Sequence, residues 1–434
     1  MPKGAEFIIR SLENAGFEAY IVGGCVRDGI LGRDPEDWDI TTIAKPDEIK
    51  RIFSHTVDTG IEHGTVTVLV PPEEVERGIR SFEVTTYRID GEYTDHRHPN
   101  AVSFTGSLEE DLARRDFTIN AMAYHMERGI IDPFHGQEDL EKKIVRAVGK
   151  AKDRFAEDAL RMMRGIRFSA QLNFSLDEEA YLGIESLKKS LENVSKERIA
   201  VELWKLLAST HPDKVEMFFS TGLAPYITED FPKIQESGIP KLLPFAPVEK
   251  IVRFGLFLRN VPDLARKILR DLKLDRESIE GGSHFAALFS KEEVESPYAL
   301  RKRIARYGLK MVRDFYEMRL ALLQQDEEEL YSPLESDLLE AKRRTGEIII
   351  TKKQAESIVK ERLLWITKVE SEKNCVSLSE LMLSGKDLIS LGVSPGKRMG
   401  EILQLAFDRV LQEPKENEKE KLISYLQESG LLDS

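Results

Sequence analysis

Two aspartates separated by one residue are the first feature of this sequence that could do chemistry. Asp37 and Asp39 flank Trp38, and in a β-strand residues two apart project to the same face. Carboxylates held that close repel each other, and a divalent cation is the usual reason to keep both ionised. The spacing predicts a metal site, where two Mg²⁺ ions could activate a hydroxyl and stabilise a leaving phosphate. A solvated turn is the alternative, because aspartate is common in loops.

Glu83 is a third candidate carboxylate. It alternates with Phe82 and Val84, so a strand would project it to the face opposite those apolar side chains. It could therefore lie beside the aspartate pair. An exposed glutamate that pairs across strands is an equally simple interpretation.

A glycine pair followed by an arginine suggests a phosphate-binding turn. An apolar strand ends at Gly23 and Gly24, and the helix predicted to follow carries Arg27. Glycines let backbone amides approach a phosphate closely, and a helix N-terminus adds positive potential. An ordinary strand-to-helix turn is the alternative, since glycine pairs are frequent in turns.

The segment 114–121 concentrates polar groups that suit a nucleotide. Arg114 and Arg115 could bind a triphosphate, whereas Asp116 and Asn120 could hydrogen-bond ribose hydroxyls. A surface arginine–aspartate pair at the end of a helix is the alternative.

The segment 157–167 predicts a helix on which Asp158 and Arg161 are neighbours. A carboxylate beside a guanidinium can accept from an exocyclic amino group and donate to the adjacent ring nitrogen. Cytosine and adenine present that pattern, whereas uracil and guanine present the reverse and leave buried groups unpaired. Arg164 and Arg167 continue the spacing and could face phosphates. A plain helical salt bridge is the alternative.

The predicted secondary structure changes once along the chain, from strands mixed with helices to helices alone. β-Branched and aromatic runs predict strands over 18–22, 38–41, 65–70, 82–87, 101–104 and 121–125. Periodic apolar residues predict helices from Asp153 onward, including one that begins at Ser195 and others over 248–258, 264–272, 298–325, 334–345, 352–369 and 400–412. The sequence therefore predicts an α/β head followed by an all-α remainder.

Composition excludes several classes of protein. The chain has 434 residues, 41% of them hydrophobic, with 63 basic and 76 acidic side chains and a net charge of -13. It is too long for one ordinary domain of about 100–200 residues and too apolar for a disordered tail. No apolar run approaches the roughly 20 residues that span a bilayer, so we expect a cytoplasmic protein without membrane contact. Cys25 and Cys375 are far apart in sequence, which predicts neither a disulfide framework nor a zinc site.

The chemical segments occur in a fixed order, and together they closely resemble the bacterial class II CCA-adding tRNA nucleotidyltransferases of the polymerase beta-like superfamily. The motifs that carry the resemblance are Gly23-Gly24 with Arg27-Asp28, Asp37-Trp38-Asp39, the segment 114–121, and Glu157-Asp158 with Arg161 and Arg164. Segments 132–140, 195–199 and 385–396 agree further. The likeness runs through nearly the whole chain.

The resemblance implies an α+β fold and an activity. It implies a nucleotidyltransferase-type mixed-sheet head (1–145), then an all-α neck (146–210), body (211–315) and tail (316–434) in a seahorse shape. Such an enzyme adds C, C and A to tRNA 3′ ends without a template, from CTP and ATP, by two-metal transfer that releases pyrophosphate. The implied cofactor is Mg²⁺, and no protein partner is implied.

Roles follow at the matching positions. The resemblance assigns Asp37 and Asp39 to the metal and to catalysis, with Glu83 as a third catalytic carboxylate. It assigns to the nucleotide Gly24, Arg27, Arg115, Asp116, Asn120, Asp158, Arg161, Arg164 and Arg167. Asp95 and Arg97 stand in a segment, 91–99, that resembles the flexible loop of CCA-adding members, which favours addition of the final A.

A protein of this net charge needs local positive charge to bind tRNA. We expect phosphate contacts from Arg301, Arg303, Arg306, Lys310, Lys397 and Arg398. Solvated helix faces are the alternative. Three other functions stay open at this point: a poly(A) polymerase, a relative that adds only CC or only A, and a catalytically idle RNA-binding protein.

Overall fold

A mixed sheet forms the N-terminal part of the protein. The computed structural model describes residues 1–90, 102–236, 243–289, 291, 293–324 and 352–432. The strands are β1 Ala19–Val22, β2 Asp39–Thr42, β3 Thr56–Gly60, β4 Thr65–Leu69, β5 Ser81–Thr86, β6 Arg88–Asp90, β7 Val102–Phe104, β8 Ala123–His125, β9 Gly129–Ile131, β10 Ile144–Val145 and β11 Ser175–Leu176. Within the described residues, a seven-stranded sheet has the order β3-β4-β5-β2-β1-β8-β9.

The strands that carry Asp39 and Glu83 lie in the interior of the sheet. β2 pairs with β5 in parallel and with β1 in antiparallel orientation. Helix α1, Lys3–Asn14, packs on β1 and β2 through its buried face. Gly4 is needed there, because a Cβ atom would stand 2.6 Å from the ring of Phe82. β1 is buried along its whole length, which explains its continuous apolar run.

Helices dominate the rest of the first compact unit, which comprises Met1–Ile239 and Arg270–Leu274. They are α2 Gly24–Ile30, α3 Pro46–Ile52, α4 Leu108–Ala113, α5 Gly136–Lys142, α6 Ala151–Glu157, α7 Leu160–Leu172, α8 Glu178–Leu187, α9 Lys196–Leu207, α10 Met217–Ser220, α11 Ala224–Ile227 and α12 Pro232–Glu236. α7 packs against α9, and α6 packs against α8.

The second unit comprises Pro240–Leu269 and Asp275–Ser434. Its described helices are α13 Lys250–Phe257, α14 Pro262–Asp271 (whose last residues belong to the first unit), α15 Arg276–Phe289, α16 Pro297–Tyr307, α17 Leu309–Leu323, α18 Lys352–Ser371, α19 Gly385–Ser390, α20 Lys397–Gln412 and α21 Lys419–Glu428. The last three pack around a core that includes Leu388, Ile402, Phe407 and Leu422. None of the helices in the described ranges combines the length and apolar content needed to cross a bilayer.

Most predicted elements are confirmed, and the differences have local causes. Each of the six predicted strands overlaps an observed one, whereas β3, β6, β9, β10 and β11 were not predicted. The single helix predicted over 298–325 is wrong, because Gly308 adopts a φ of +87° and separates α16 from α17. The helix predicted over 334–345, and the loop with Asp95 and Arg97, lie outside the described residues.

Candidate active site

The three candidate carboxylates lie on the central strands β2 and β5 of the sheet and in the loop before β2. Asp39 begins β2 and is the register partner of Glu83 in β5 on one side and of Val22 in β1 on the other. Asp37 lies in the exposed loop just before β2. Burial raises the pKa of Asp39; the neighbouring Arg115 opposes this rise, and the charges of Glu83 and Asp37 add to it. The alternation argument for Glu83 therefore found a carboxylate next to the aspartate pair.

This carboxylate group suits a hard divalent cation. A positive ion would relieve the repulsion that raises the pKa of Asp39. Among the described residues no cluster of three or more ready-made acidic, histidine or cysteine ligands is found. Mg²⁺ is commonly held by one or two carboxylates together with substrate phosphates and water, so Asp37 and Asp39 fit such an ion.

The glycine turn lies beside these carboxylates because β1 ends at Val22 next to Asp39. Gly23 has a φ of +86°, and a Cβ atom there would stand 2.8 Å from Nη1 of Arg115. Both facts require glycine at residue 23. Gly24 begins α2, and a Cβ atom there would make only ordinary contacts with Arg27. The structure itself thus explains Gly23 but places no steric demand on Gly24.

A chain of hydrogen bonds links the predicted nucleotide-binding residues. Arg27 donates from Nη1 to Oδ1 of Asn120 at 2.6 Å, and Asn120 donates from Nδ2 to Oδ1 of Asp116 at 3.3 Å. Arg164 donates from Nε to Oδ2 of Asp116 at 2.7 Å. Residues from α2, from the turn after α4 and from α7 are therefore fixed relative to one another.

Asp116 is the buried centre of that chain. Burial by itself would raise the pKa of its carboxyl, but Arg164, Arg161 and the hydrogen bonds lower it to about 2. Burial also disfavours the charged form of the Arg115 guanidinium, and for a cation this lowers the pKa. Nε of Arg115 is buried and has no hydrogen-bond partner among the described residues. That donor is suited to an anionic ligand.

The backbone around Asp158 and Arg161 differs from the continuous helix that the sequence predicted. The continuous helix expected over 157–167 is wrong: α6 ends at Glu157, Asp158 has an extended backbone, and α7 begins at Leu160. Asp158 accepts from Arg198 in α9 at 2.7 Å. Arg161 pairs with Glu157 at 2.6 Å and donates to the carbonyl of Arg114 at 3.0 Å. The helical Asp158–Arg161 pair offered as the alternative is therefore not what holds these two residues.

These side chains line one cleft of about 430 Å³, which we call the arginine cleft. Its walls are Gly24, Arg27, Asp39, Arg114, Arg115, Asp116, Asn120, Asp158, Leu160, Arg161, Arg164, Phe168 and Arg198. Nine of the predicted site residues are in this set: Gly24, Arg27, Asp39, Arg115, Asp116, Asn120, Asp158, Arg161 and Arg164. The cleft thus brings together the Asp39 carboxylate, several guanidinium groups, and Asp158 with Arg161.

Arg167 lies behind the cleft wall. It is buried, it pairs with Glu202 of α9 at 2.5 Å, and its guanidinium carbon lies 3.9 Å from the ring centre of Phe168. Phe168 was not predicted from the sequence, yet Arg27 and Arg164 also stack near its ring, at 5.2 and 5.5 Å. The signal that could have found it is an aromatic residue within a run of arginines spaced by three.

Arg198 was also missed as a site residue. Its segment, 195–199, contributed only to the family resemblance. Arg198 is forty positions from Asp158, and sequence spacing cannot predict a contact between residues so far apart. It lines the cleft.

The residues predicted to bind tRNA lie in the second unit, and several have internal roles. Arg301 donates to the carbonyl oxygens of Leu411 and Gln412, the last residues of α20. Lys310 pairs with Asp314 at 2.6 Å. The other four predicted residues have these surroundings: Arg303 donates to the hydroxyl of Tyr316, Arg306 is exposed beside the ring of Tyr307, Lys397 lies 3.7 Å from Glu401, and Arg398 is exposed at the start of α20.

Family models match three successive stretches of the chain. Residues 19–146 match a model described as "Poly A polymerase head domain". Residues 173–234 match a candidate RNA and SrmB binding site of polymerase A, and residues 248–426 match a model described as "tRNA nucleotidyltransferase domain 2". The matches cover the sheet region and most of the helical remainder.

Curated relatives and a solved structure resemble the chain over nearly its full length. A CCA-adding enzyme of Enterococcus faecalis is 36% identical over 437 residues, which cover 98% of this chain and 95% of that relative. One of Geobacillus kaustophilus is 37% identical, covering 97% and 95%. The Bacillus stearothermophilus CCA-adding enzyme in complex with CTP superposes with a TM-score of 0.77 at 30% identity, covering 99% of this chain and 97% of that one. At such identity and coverage, this chain belongs to the family of CCA-adding enzymes.

Proposed function

We propose that this enzyme adds C, C and A in turn to the 3′ end of tRNA, taking the nucleotides from CTP and ATP and releasing pyrophosphate. The observation that carries the residue assignment is the arginine cleft. There Asp158 and Arg161 lie with the guanidinium groups of Arg27, Arg115 and Arg164, and Asp39 completes the wall. In this proposal the head (1–145) carries the phosphate chemistry, and the neck (146–210) selects the base.

Base selection follows from one acceptor and one donor. Each oxygen of Asp158 already accepts one hydrogen bond, from Leu160 N or from Arg198, and a carboxylate oxygen can accept a second. Asp158 can therefore accept from the amino group of cytosine or adenine, while Arg161 donates to the adjacent ring nitrogen. Uracil and guanine would place a carbonyl oxygen against the carboxylate, which leaves buried groups unpaired. Such a site selects two bases without a nucleic-acid template.

Triphosphate binding falls to the arginines of the cleft. Arg115 offers a buried donor without a partner among the described residues, and Gly23 allows its close approach to the turn after β1. Arg27 and Arg164 are held in place by Asn120 and Asp116. Because these partners fix the guanidinium groups before substrate arrives, little ordering is needed when the nucleotide binds.

The carboxylates complete the reaction. The tRNA 3′-hydroxyl oxygen loses its proton to water and forms a bond to the α-phosphorus, and the bond from that phosphorus to the pyrophosphate oxygen breaks. Asp37 and Asp39 would hold Mg²⁺, which when bound lowers the pKa of the hydroxyl and neutralises charge on the phosphates. Glu83 supplies a third carboxylate next to Asp39.

The tRNA itself is bound by surface cations in this proposal. Among the six predicted residues, Arg306, Lys310, Lys397 and Arg398 are exposed and therefore suited to phosphate contacts, whereas Arg301 caps α20. Because its substrate is tRNA, we infer a cytoplasmic location.

The test is extension of a labelled tRNA that lacks its 3′ CCA, with CTP and ATP supplied separately and together. We expect addition of C, C and A followed by arrest, and loss of all addition in Asp37→Ala. Glu36→Ala, an exposed neighbour in the same loop, is the matched control and should stay active. Arrest after CC, addition of A alone, or long A tracts would each reassign the enzyme to the corresponding alternative. No nucleotide transfer at all would favour an idle RNA-binding protein.

A further inference from the structure

Asp158 is held by a residue from another helix. Its Oδ2 accepts from Nη2 of Arg198 in α9 at 2.7 Å, and its Oδ1 accepts from the backbone N–H of Leu160 at 3.0 Å. Both oxygens are therefore fixed, and the carboxylate plane is set by one side chain and one amide.

Arg161 is held independently of Asp158. It pairs with Glu157 and donates to two backbone carbonyls, those of Arg114 and Arg154. A change at Arg198 thus disturbs the acceptor of the base-reading couple and leaves the supports of the donor in place. This separation makes the role of Arg198 testable by substitution.

We propose that Arg198 is a positioning residue that sets nucleotide selectivity by holding the Asp158 carboxylate in its accepting orientation. The inference rests on the proposed function, because it needs Asp158 to read the base. The rejection of uracil and guanine depends on an acceptor that cannot turn away from their carbonyl oxygens. Without Arg198 one of the two constraints on the carboxylate is lost, so Asp158 can rotate and the penalty against UTP and GTP falls.

Loss of the guanidinium also removes positive charge from the cleft. That loss weakens binding of every nucleoside triphosphate to a similar extent, because the four triphosphates carry the same charge. The ratio of kcat/KM values for CTP and UTP cancels this common effect. Selectivity, rather than activity, is therefore the quantity that reports on Asp158.

The experiment compares Arg198→Met and Arg198→Lys with wild type in single-nucleotide addition to tRNA lacking CCA. Values of kcat/KM are measured for CTP and UTP, and for ATP and GTP on tRNA ending in CC. Lys205→Met, an exposed substitution in the same helix, is the control. We expect the CTP/UTP and ATP/GTP ratios to fall about tenfold or more in Arg198→Met, equivalent to about 1.4 kcal/mol of discrimination. Arg198→Lys should recover part of each ratio.

A double-mutant cycle separates positioning from general damage. In Asp158→Asn the carboxylate is already gone, so adding Arg198→Met should change the ratios little. Equal losses for all four nucleotides, or additive losses in the double mutant, would overturn the proposal. If Arg198→Met does not fold, Arg198→Lys and Arg198→Gln carry the same comparison, with melting temperatures alongside. A wild-type enzyme that does not discriminate would refute the proposed function instead.

Discussion

The buried pair between Arg167 and Glu202 permits a sharp test of how the cleft is supported. The side chains are 7% and 5% exposed, and Nε of Arg167 lies 2.5 Å from Oε2 of Glu202. Glu202→Ala leaves the Arg167 guanidinium charged, buried and without its carboxylate partner. Removing one partner of a buried pair costs about 3–5 kcal/mol. In a unit of this size that corresponds to a fall in melting temperature of roughly 6–20 °C.

The assay is urea unfolding and thermal melting of Glu202→Ala, Arg167→Met and the double variant Glu202→Leu with Arg167→Met. We expect the double variant to be more stable than Glu202→Ala, because no uncompensated charge remains. We also expect Arg167→Met to leave the KM for CTP within about threefold, measured well below its melting temperature. A loss of stability under about 1 kcal/mol in Glu202→Ala would refute this reasoning. So would a tenfold rise in KM without loss of stability in Arg167→Met, since it would place Arg167 among the nucleotide contacts.

Three further predictions test the carboxylates and the RNA contacts. Asp39→Asn should lower kcat roughly 100-fold or more. It should not lower the melting temperature, because burial and the like charges of Glu83 and Asp37 already disfavour the ionised side chain of Asp39. The pKa of Asp116 is lowered from 3.8 to about 2, so its ionised form adds about 2 kcal/mol of stability above pH 4, and this is lost as the pH falls from about 4 to 2. Urea unfolding between pH 2.5 and 7 should show that wild type and Asp116→Asn converge as the pH falls; a constant difference would contradict the assignment. Arg306→Glu should weaken tRNA binding and reduce its dependence on salt, whereas the exposed control Lys205→Glu should change neither.

Local patterns predicted the sheet well because its signals are local. β1 and β5 are apolar or alternating runs bounded by turn residues, and the structure places them where the pattern does. Alternation also placed Glu83 on the face that Asp39 shares, since both lie in register on parallel strands. β3 was missed because its three central residues are exposed, so it shows no apolar alternation, and β9 was missed because it has only three residues.

Contacts between distant segments could not be predicted in this way. The resemblance named Asp158 and Arg161, but the physical picture drawn from their spacing, one helix with a local pair, is wrong at the break between α6 and α7. An i,i+3 pair would have tied the acceptor to the donor, so that each depended on the other. Instead Arg198 holds the acceptor, while Glu157 and two carbonyls hold the donor. Residues that read a base gain from such separate supports, because the geometry of each hydrogen bond is then set by the fold before the nucleotide enters.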